Sequence, residues 1–248
     1  MASPIEDPLR IAQARFPTTT WRLVLAVNSE ASDSSREALA ALCRSYWRPV
    51  YAYVRRRGYP VDEAQDLTQE FFVRVLEKGY FSEVQRERGR FRTFLLAAIN
   101  HFLSNERDRM QAQKRGGNRT ILSLEMEEAE KRYCHLPIDY QTPEKIYEKQ
   151  WAMAILEEAM SRLRAESEQA GLPGQFERLK PFLIGEQPHG AYQLLAAECR
   201  ITESAARVTV HRMRRRCQQL LREEIAQTLT NPESVDDEIH FLVDALRR

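Results

Sequence analysis

Glycine is scarce in this sequence, with 9 glycines in 248 residues, which disfavours turn-rich all-β folds and glycine-loop nucleotide sites. The four cysteines stand far apart without a C-x-x-C pair, so they indicate neither a disulfide framework nor a zinc site. No apolar run approaches the ~18 residues of a membrane span, and the first residues lack the order of a signal peptide. We therefore expect a cytoplasmic protein with no membrane partner.

A net charge of one sign is also missing, because 37 Lys and Arg face 36 Asp and Glu, a net charge of +1. This balance excludes an indiscriminate polycation, but it does not exclude separate basic and acidic surfaces. With 43% hydrophobic and 29% charged residues, the composition is that of a globular protein. The length suits one or two domains, each able to bury its own core.

Apolar residues recur every three or four positions, which predicts amphipathic helices at about 35–57, 61–78 and 90–112. We expect Pro49 to kink the first of them. Further helices are predicted from Thr142-Pro143, through Phe176–Phe182, and at 191–199 and 203–227. The fold class is all-α, with two helical domains joined by a linker. We assign residues 1–35 to an N-terminal extension, 36–112 to a three-helix bundle and 113–142 to the linker. Residues 143–228 form a helix-turn-helix domain, and 229–248 form an acidic C-terminal tail.

The helix at 203–227 is strongly basic at its start. Between Arg200 and Arg216 there are six arginines and one acid, Glu203. A helix after a tight turn, with a basic outward side, is what a helix-turn-helix needs to enter the major groove. The outward residues are Ser204, Arg207, Val208, His211 and Arg212. The alternative is a solvated basic surface helix.

A second basic zone covers Arg86–Arg119, with nine Lys and Arg against three acids. Its charge would bind phosphates without reading sequence. Hydrogen-bonding and basic side chains lie among phenylalanines here, a mixture that suits unstacked single-stranded bases: Asn100, His101, Asn105, Arg107 and Arg109. The alternative, favoured by periodicity, is that the phenylalanines are core residues.

The helix at 61–78 begins with acidic residues. Asp62, Asp66 and Glu70 stand at i, i+4 and i+8 and could hold Mg²⁺ in a helical enzyme. No histidine pair or second acidic helix supports such a site, so a solvated or protein-docking face is the better interpretation. We predict no cofactor, no metal and no catalytic residue.

Three segments together carry a resemblance to a known family. The sequence DLTQEFFVRVL at 66–76 resembles the core-binding helix of bacterial sigma-70 factors of the extracytoplasmic-function (ECF) type. The stretch from FRTFL at 91–95 to Arg109 resembles their promoter-melting helix. Residues 201–214 resemble their closing helix-turn-helix. The three motifs occur in the family's order, with a linker where the family has one.

The resemblance implies a transcription initiation factor that is not an enzyme, built from sigma regions 2 and 4. Core RNA polymerase would be bound by Asp66, Gln69, Glu70 and Val73. The minus-ten element, as duplex and as melted nontemplate strand, would be read by Asn100, His101, Asn105, Arg107 and Arg109. The minus-thirty-five element would be read by the outward residues of the 203–227 helix, which are Ser204, Arg207, Val208, His211 and Arg212. Family habit also suggests an anti-sigma factor as a partner.

Two of the departures from the family pattern concern single residues, and the charges suggest a role for the tail. His101 stands where the family commonly has Asn. Arg200 replaces the usual turn glycine, which should cost about 1 kcal/mol if that position needs a positive φ. The acidic tail could shield the basic helix-turn-helix by charge attraction. A stand-alone helix-turn-helix regulator remains the alternative function.

Overall fold

The computed structural model describes residues 33–76, 90–112, 130, 142–170, 174–183, 185 and 187–247. Within these ranges the protein is all-α, as predicted, and the only β feature is an isolated bridge between Arg90 and Leu229. No helix in the described ranges is long and apolar enough to cross a membrane. Residues 1–32 of the predicted N-terminal extension lie outside the described residues, whereas residues 33–35 already belong to the first helix. Most of the linker, Arg86 and Arg88 also lie outside the described residues.

The helices follow the sequence expectations closely. The eight α-helices in the described ranges are α1 Asp33–Arg56, α2 Val61–Leu76, α3 Phe91–Ala112, α4 Pro143–Gln169, α5 Gln175–Leu179, α6 Ala191–Cys199, α7 Glu203–Gln227 and α8 Val235–Arg247. Short 3₁₀ helices occupy Lys180–Phe182 and Pro232–Ser234. Pro49 lies within the continuous helix α1. The predicted caps form, since the Thr142 and Thr202 hydroxyls accept hydrogen bonds from the backbone N–H groups of Lys145 and Ala205.

The first hydrophobic core is built on the predicted bundle. Buried apolar side chains of α1, α2 and α3 pack together, including Tyr46, Phe71 and Phe102. The Tyr46 and Phe91 rings meet edge to face at 4.7 Å between centroids. The phenylalanines of α3 are thus core residues, as their periodicity favoured.

Helix α4 belongs to both hydrophobic cores. Its first half packs into the first core, where the Trp151 indole N–H donates to the Tyr46 hydroxyl at 2.8 Å and the Tyr147 hydroxyl donates to the Arg92 carbonyl at 3.0 Å. Its second half contributes Ala159 and Leu163 to the second core. One continuous helix, α4, therefore contributes side chains to both hydrophobic cores.

The second core carries the helix-turn-helix. It contains the second half of α4 together with α5, α6 and the inward side of α7. The predicted buried stripe of α7 is found there, with Ala206, Val210, Met213 and Leu220 buried and Cys217 partly buried. The end of α7 returns to the first core through Ile225 and Ala226. The two cores are thus joined by α7 as well as by α4.

The segment predicted as an acidic tail folds as α8. Its apolar side chains Val235, Leu242 and Ala245 are buried in the first core. Glu238 is 0% exposed and pairs with Arg92 of α3 and with Arg90, which directly precedes α3. From charge alone, the tail was expected to shield the basic helix-turn-helix. The packing corrects this expectation, because the apolar face of α8 and its paired carboxylate Glu238 bind to the first hydrophobic core instead. On α7 it reaches Arg222, through Asp236 at 2.5 Å, and not the outward basic residues.

The turn between α6 and α7 depends on one left-handed residue. Arg200 has φ 55° and ψ 42°, and the Ile201 and Arg200 N–H groups donate to the Ala196 and Ala197 carbonyls. These hydrogen bonds form the Schellman motif, in which glycine is usual at the left-handed position. A positive φ, the condition under which arginine is expected to cost stability, is therefore met at Arg200.

Replacing Arg200 should stabilise the protein only when the new residue relieves the backbone. We expect Arg200→Gly to raise the free energy of unfolding by about 1 kcal/mol, because glycine avoids the left-handed penalty. Arg200→Ala, which removes the same exposed side chain but keeps the Cβ, should give no such gain. Urea unfolding of both variants measures the difference, and equal stabilities would contradict the backbone explanation.

Candidate nucleic-acid and protein-docking surfaces

The acidic side of α2 faces solvent. Asp66 is exposed, while Gln69, Glu70 and Val73 are partly exposed. They lie there because the apolar positions of α2, from Ala64 to Val75, take up its buried side. The four predicted docking residues therefore share one accessible surface.

Glu70 is held in a charged chain that links two helices. Arg74 donates to Glu70 and to Glu106 of α3, at 2.7 Å in each case. Its guanidinium lies 5.0 Å from the centre of the Phe102 ring. Since Glu106 is 4% exposed, this chain of charges runs from the exposed acidic side of α2 into the first hydrophobic core.

The acidic residues of α2 are spread along one side of the helix. In the described ranges, which include Asp62, Asp66 and Glu70, no three His, Cys, Asp or Glu side chains come together as potential metal ligands. The i, i+4, i+8 spacing distributes these carboxylates along a helix instead of around one point. Glu70 has Arg74 as a partner.

The predicted melting residues divide into two groups. Asn100 is enclosed in a hydrogen-bond network, in which its Oδ1 accepts from the Tyr53 hydroxyl at 2.6 Å and its Nδ2 donates to the Leu96 carbonyl. His101 and Asn105 are exposed, and their side chains meet at 3.4 Å. Arg107 is exposed, and the side chain of Arg109 lies outside the described part of the protein.

Arg57 was missed by the sequence analysis. This exposed residue donates from Nη1 to the Tyr53 hydroxyl and to Asn100 Oδ1, both at 3.1 Å. Burial raises the pKa of Tyr53, so its hydroxyl keeps the proton that it donates to Asn100. The signal available in the sequence was the run Arg55-Arg56-Arg57 before Gly58, at the end of α1. Arg57 adds a cation beside the exposed side chains of α3.

Charge counting overestimated the basic zone on α3. Arg92 is 8% exposed, pairs with Glu238 and stacks on Phe241, with its guanidinium 3.7 Å from the ring centre. Arg90 also pairs with Glu238, at 3.1 Å. Arg92 is therefore structural, because its charge is buried and satisfied against α8. Arg90 shares the same carboxylate, but its side chain is still 36% exposed.

The outward side of α7 is accessible at every predicted position. Ser204, Arg207, Val208, His211 and Arg212 are all exposed. Two of the local arginines serve the fold instead, since Arg214 donates to the Phe182 carbonyl at 2.7 Å and Arg216 pairs with Glu166 at 2.5 Å. Exposed arginines remain at 200, 207, 212 and 215. The arrangement can place guanidinium groups on phosphates and base edges of a duplex.

Comparison with known families assigns the first domain. Residues 42–112, which span most of α1, all of α2 and all of α3, match the family model of sigma-70 region 2. A search of curated proteins and a search of solved structures each found no match. Residues 42–112 are therefore similar to sigma-70 region 2, and this match supports a role in transcription initiation.

Proposed function

We propose that this chain is a sigma factor that binds core RNA polymerase and directs promoter recognition and transcription initiation. The observation that carries the proposal is the presence, in one chain, of a sigma-70 region 2 domain and an exposed basic helix in a helix-turn-helix. Sigma factors of this family are not enzymes, and we expect no catalytic turnover. We further propose the extracytoplasmic-function type, on the resemblance of the motifs at 66–76, 91–109 and 201–214.

The proposed division of labour follows the three surfaces. The acidic side of α2, with Asp66, Gln69, Glu70 and Val73, docks on polymerase. The exposed side chains of α3, together with Arg57, contact the melted minus-ten element, while Asn100 orients this surface from within its network. The outward side of α7 reads the minus-thirty-five element. The cytoplasm, where promoter DNA and polymerase meet, is the proposed location, and an anti-sigma factor is a proposed regulator.

The decisive experiment is transcription with purified core polymerase. We expect the full-length protein to bind core and to start transcripts at specific promoters of a genomic template. A protein that neither binds core nor starts transcription would refute the proposal. Tight binding of operator duplex without polymerase would instead identify the stand-alone regulator.

The docking surface makes a separate prediction. We expect Asp66→Ala to weaken core binding by about tenfold, equivalent to about 1.4 kcal/mol, because it removes an exposed carboxylate from the proposed docking surface. Fluorescence titration of labelled protein with core measures the affinity. Asp244→Ala, which removes an exposed carboxylate from α8, is the matched control, and equal losses would remove α2 from the docking role.

The reading helix makes another prediction. We expect Arg207→Ala to cost about 1–3 kcal/mol of discrimination at one promoter position, since a bidentate arginine contact reads a single base. Competition between duplexes that differ at one base pair measures this. A loss spread evenly over all sequences would make Arg207 a phosphate contact.

A further inference from the structure

The Arg207 side chain is held in place on the protein surface before any DNA is present. Its Nε and Nη2 both donate to Glu203 Oε1, at 3.1 and 2.6 Å. Its guanidinium lies over the Tyr192 ring of α6, 4.5 Å from the ring centre. The hydrogen bond from Arg207 lowers the pKa of Glu203, so the carboxylate is charged at neutral pH. A long, exposed side chain is thus restrained from two directions.

The contact with Glu203 uses one edge of the guanidinium and leaves the other available. Nε–H and one Nη2–H point to the carboxylate, which leaves the parallel N–H groups of Nη1 and Nη2 at the far end. Two parallel donors match the O6 and N7 acceptors of guanine in the major groove. They match no other base edge in the same bidentate way, since adenine offers a donor beside its acceptor.

The value of this arrangement lies in binding and not in folding. An exposed i, i+4 pair contributes little to stability, because both side chains are solvated and lose rotamer freedom. On DNA the same pair removes a cost, since an arginine that is already ordered loses less freedom when it contacts a base. The ring of Tyr192 fixes the plane of the guanidinium, and it is itself packed on Phe182, 5.3 Å between ring centres.

We propose that Glu203 and Tyr192 are positioning residues that orient Arg207 to read one guanine of the promoter. The inference rests on the proposed function of α7 as the promoter-reading helix and adds the base that it selects. It also gives Glu203, an acid in an otherwise basic segment, a role that its charge does not suggest. A carboxylate at this place repels phosphates, so its effect on overall DNA affinity opposes its effect on selectivity.

The test uses the full-length protein bound to core polymerase and a library of duplexes randomised in the upstream promoter element. Selection with the parent protein and with Arg207→Ala identifies the position at which Arg207 prefers guanine. Affinities are then measured for duplex pairs that differ only at that base pair. We expect Glu203→Ala to lower the guanine preference by about threefold to tenfold, while the affinity for all duplexes rises.

Matched variants separate positioning from general effects. Glu198→Ala removes an exposed carboxylate from α6 and should raise the affinity for all duplexes without changing the guanine preference. Tyr192→Phe keeps the ring and should preserve the preference, whereas Tyr192→Leu should reduce it. Glu203→Gln keeps an acceptor for Arg207 and should restore part of the preference. In an Arg207→Ala background, Glu203→Ala should cause no further loss.

The outcomes distinguish the two proposals. If Arg207→Ala leaves the preference at every position unchanged, Arg207 does not read a base and the positioning inference fails with it. If the parent protein shows no base preference anywhere in the upstream element, the proposed function of α7 fails. If Arg207→Ala abolishes a guanine preference that Glu203→Ala and Tyr192→Leu leave intact, only the positioning inference is overturned. A preference for a base other than guanine at the Arg207 position would also overturn it.

Discussion

Glu238→Ala is expected to lower the free energy of unfolding by about 3–5 kcal/mol, because it removes the partner of a buried charge. Glu238 is fully buried, and Arg92, at 8% exposure, pairs with it and is covered by Phe241 and Trp151. Without the carboxylate, the Arg92 guanidinium would be left in an apolar site. Urea unfolding followed by circular dichroism measures the loss.

Two comparisons make the Glu238 prediction specific. Asp237→Ala alters the exposed neighbour and should change stability by no more than about 0.5 kcal/mol. The double variant Arg92→Leu, Glu238→Leu should be more stable than Glu238→Ala, because replacing both charges leaves none buried without a partner. Equal stabilities of Glu238→Ala and Asp237→Ala would show that α8 is not held by this pair.

Trp151→Ala is expected to cost about 3–5 kcal/mol, since it opens a cavity where α4 meets the first domain. The side chain is 1% exposed, its indole N–H donates to the Tyr46 hydroxyl at 2.8 Å, and its ring lies 6.0 Å from that of Phe241. The substitution therefore removes contacts with α1 and with α8 together. We expect earlier proteolytic cleavage within α8 as well as a lower urea midpoint.

The control for Trp151 lies on the same helix. Glu158→Ala changes an exposed position of α4 and should leave the midpoint within about 0.5 kcal/mol of the parent. Trp151→Phe keeps most of the ring but not the N–H donor, so its loss should be smaller than that of alanine. Full stability of Trp151→Ala would mean that α4 does not anchor the first domain.

Local signals predicted the helices well because they depend on neighbouring residues. Apolar spacing gave α1, α2, α3 and α7 within a few residues, and threonine caps marked the starts of α4 and α7. The left-handed turn at Arg200 was raised only as a condition, from the glycine that the resembled family has at this position, because arginine itself gives no signal for a positive φ. These features need no knowledge of the tertiary fold.

Contacts between distant segments could not be predicted in the same way. The buried face of α8 includes a carboxylate, Glu238, so its acidic composition suggested a tail that shields the basic helix-turn-helix by charge attraction. Arg90 and Arg92 were counted as a nucleic-acid surface because a charge sum does not reveal partners on another helix. The enclosure of Asn100 likewise depends on Tyr53 of α1 and on Arg57, which directly follows α1. In each case the deciding group is far away in the sequence.

The pairing of Arg92 with Glu238, 146 positions apart, sets an order for folding during synthesis. Domains form as the chain emerges, at about 5–20 residues per second. The bundle formed by α1, α2 and α3 precedes α8 by more than a hundred residues, so its core stays uncovered while the helix-turn-helix is made. A nascent chain would thus contain α7 before α8 covers the first hydrophobic core, and chaperones that bind apolar surfaces would meet that core in the interval.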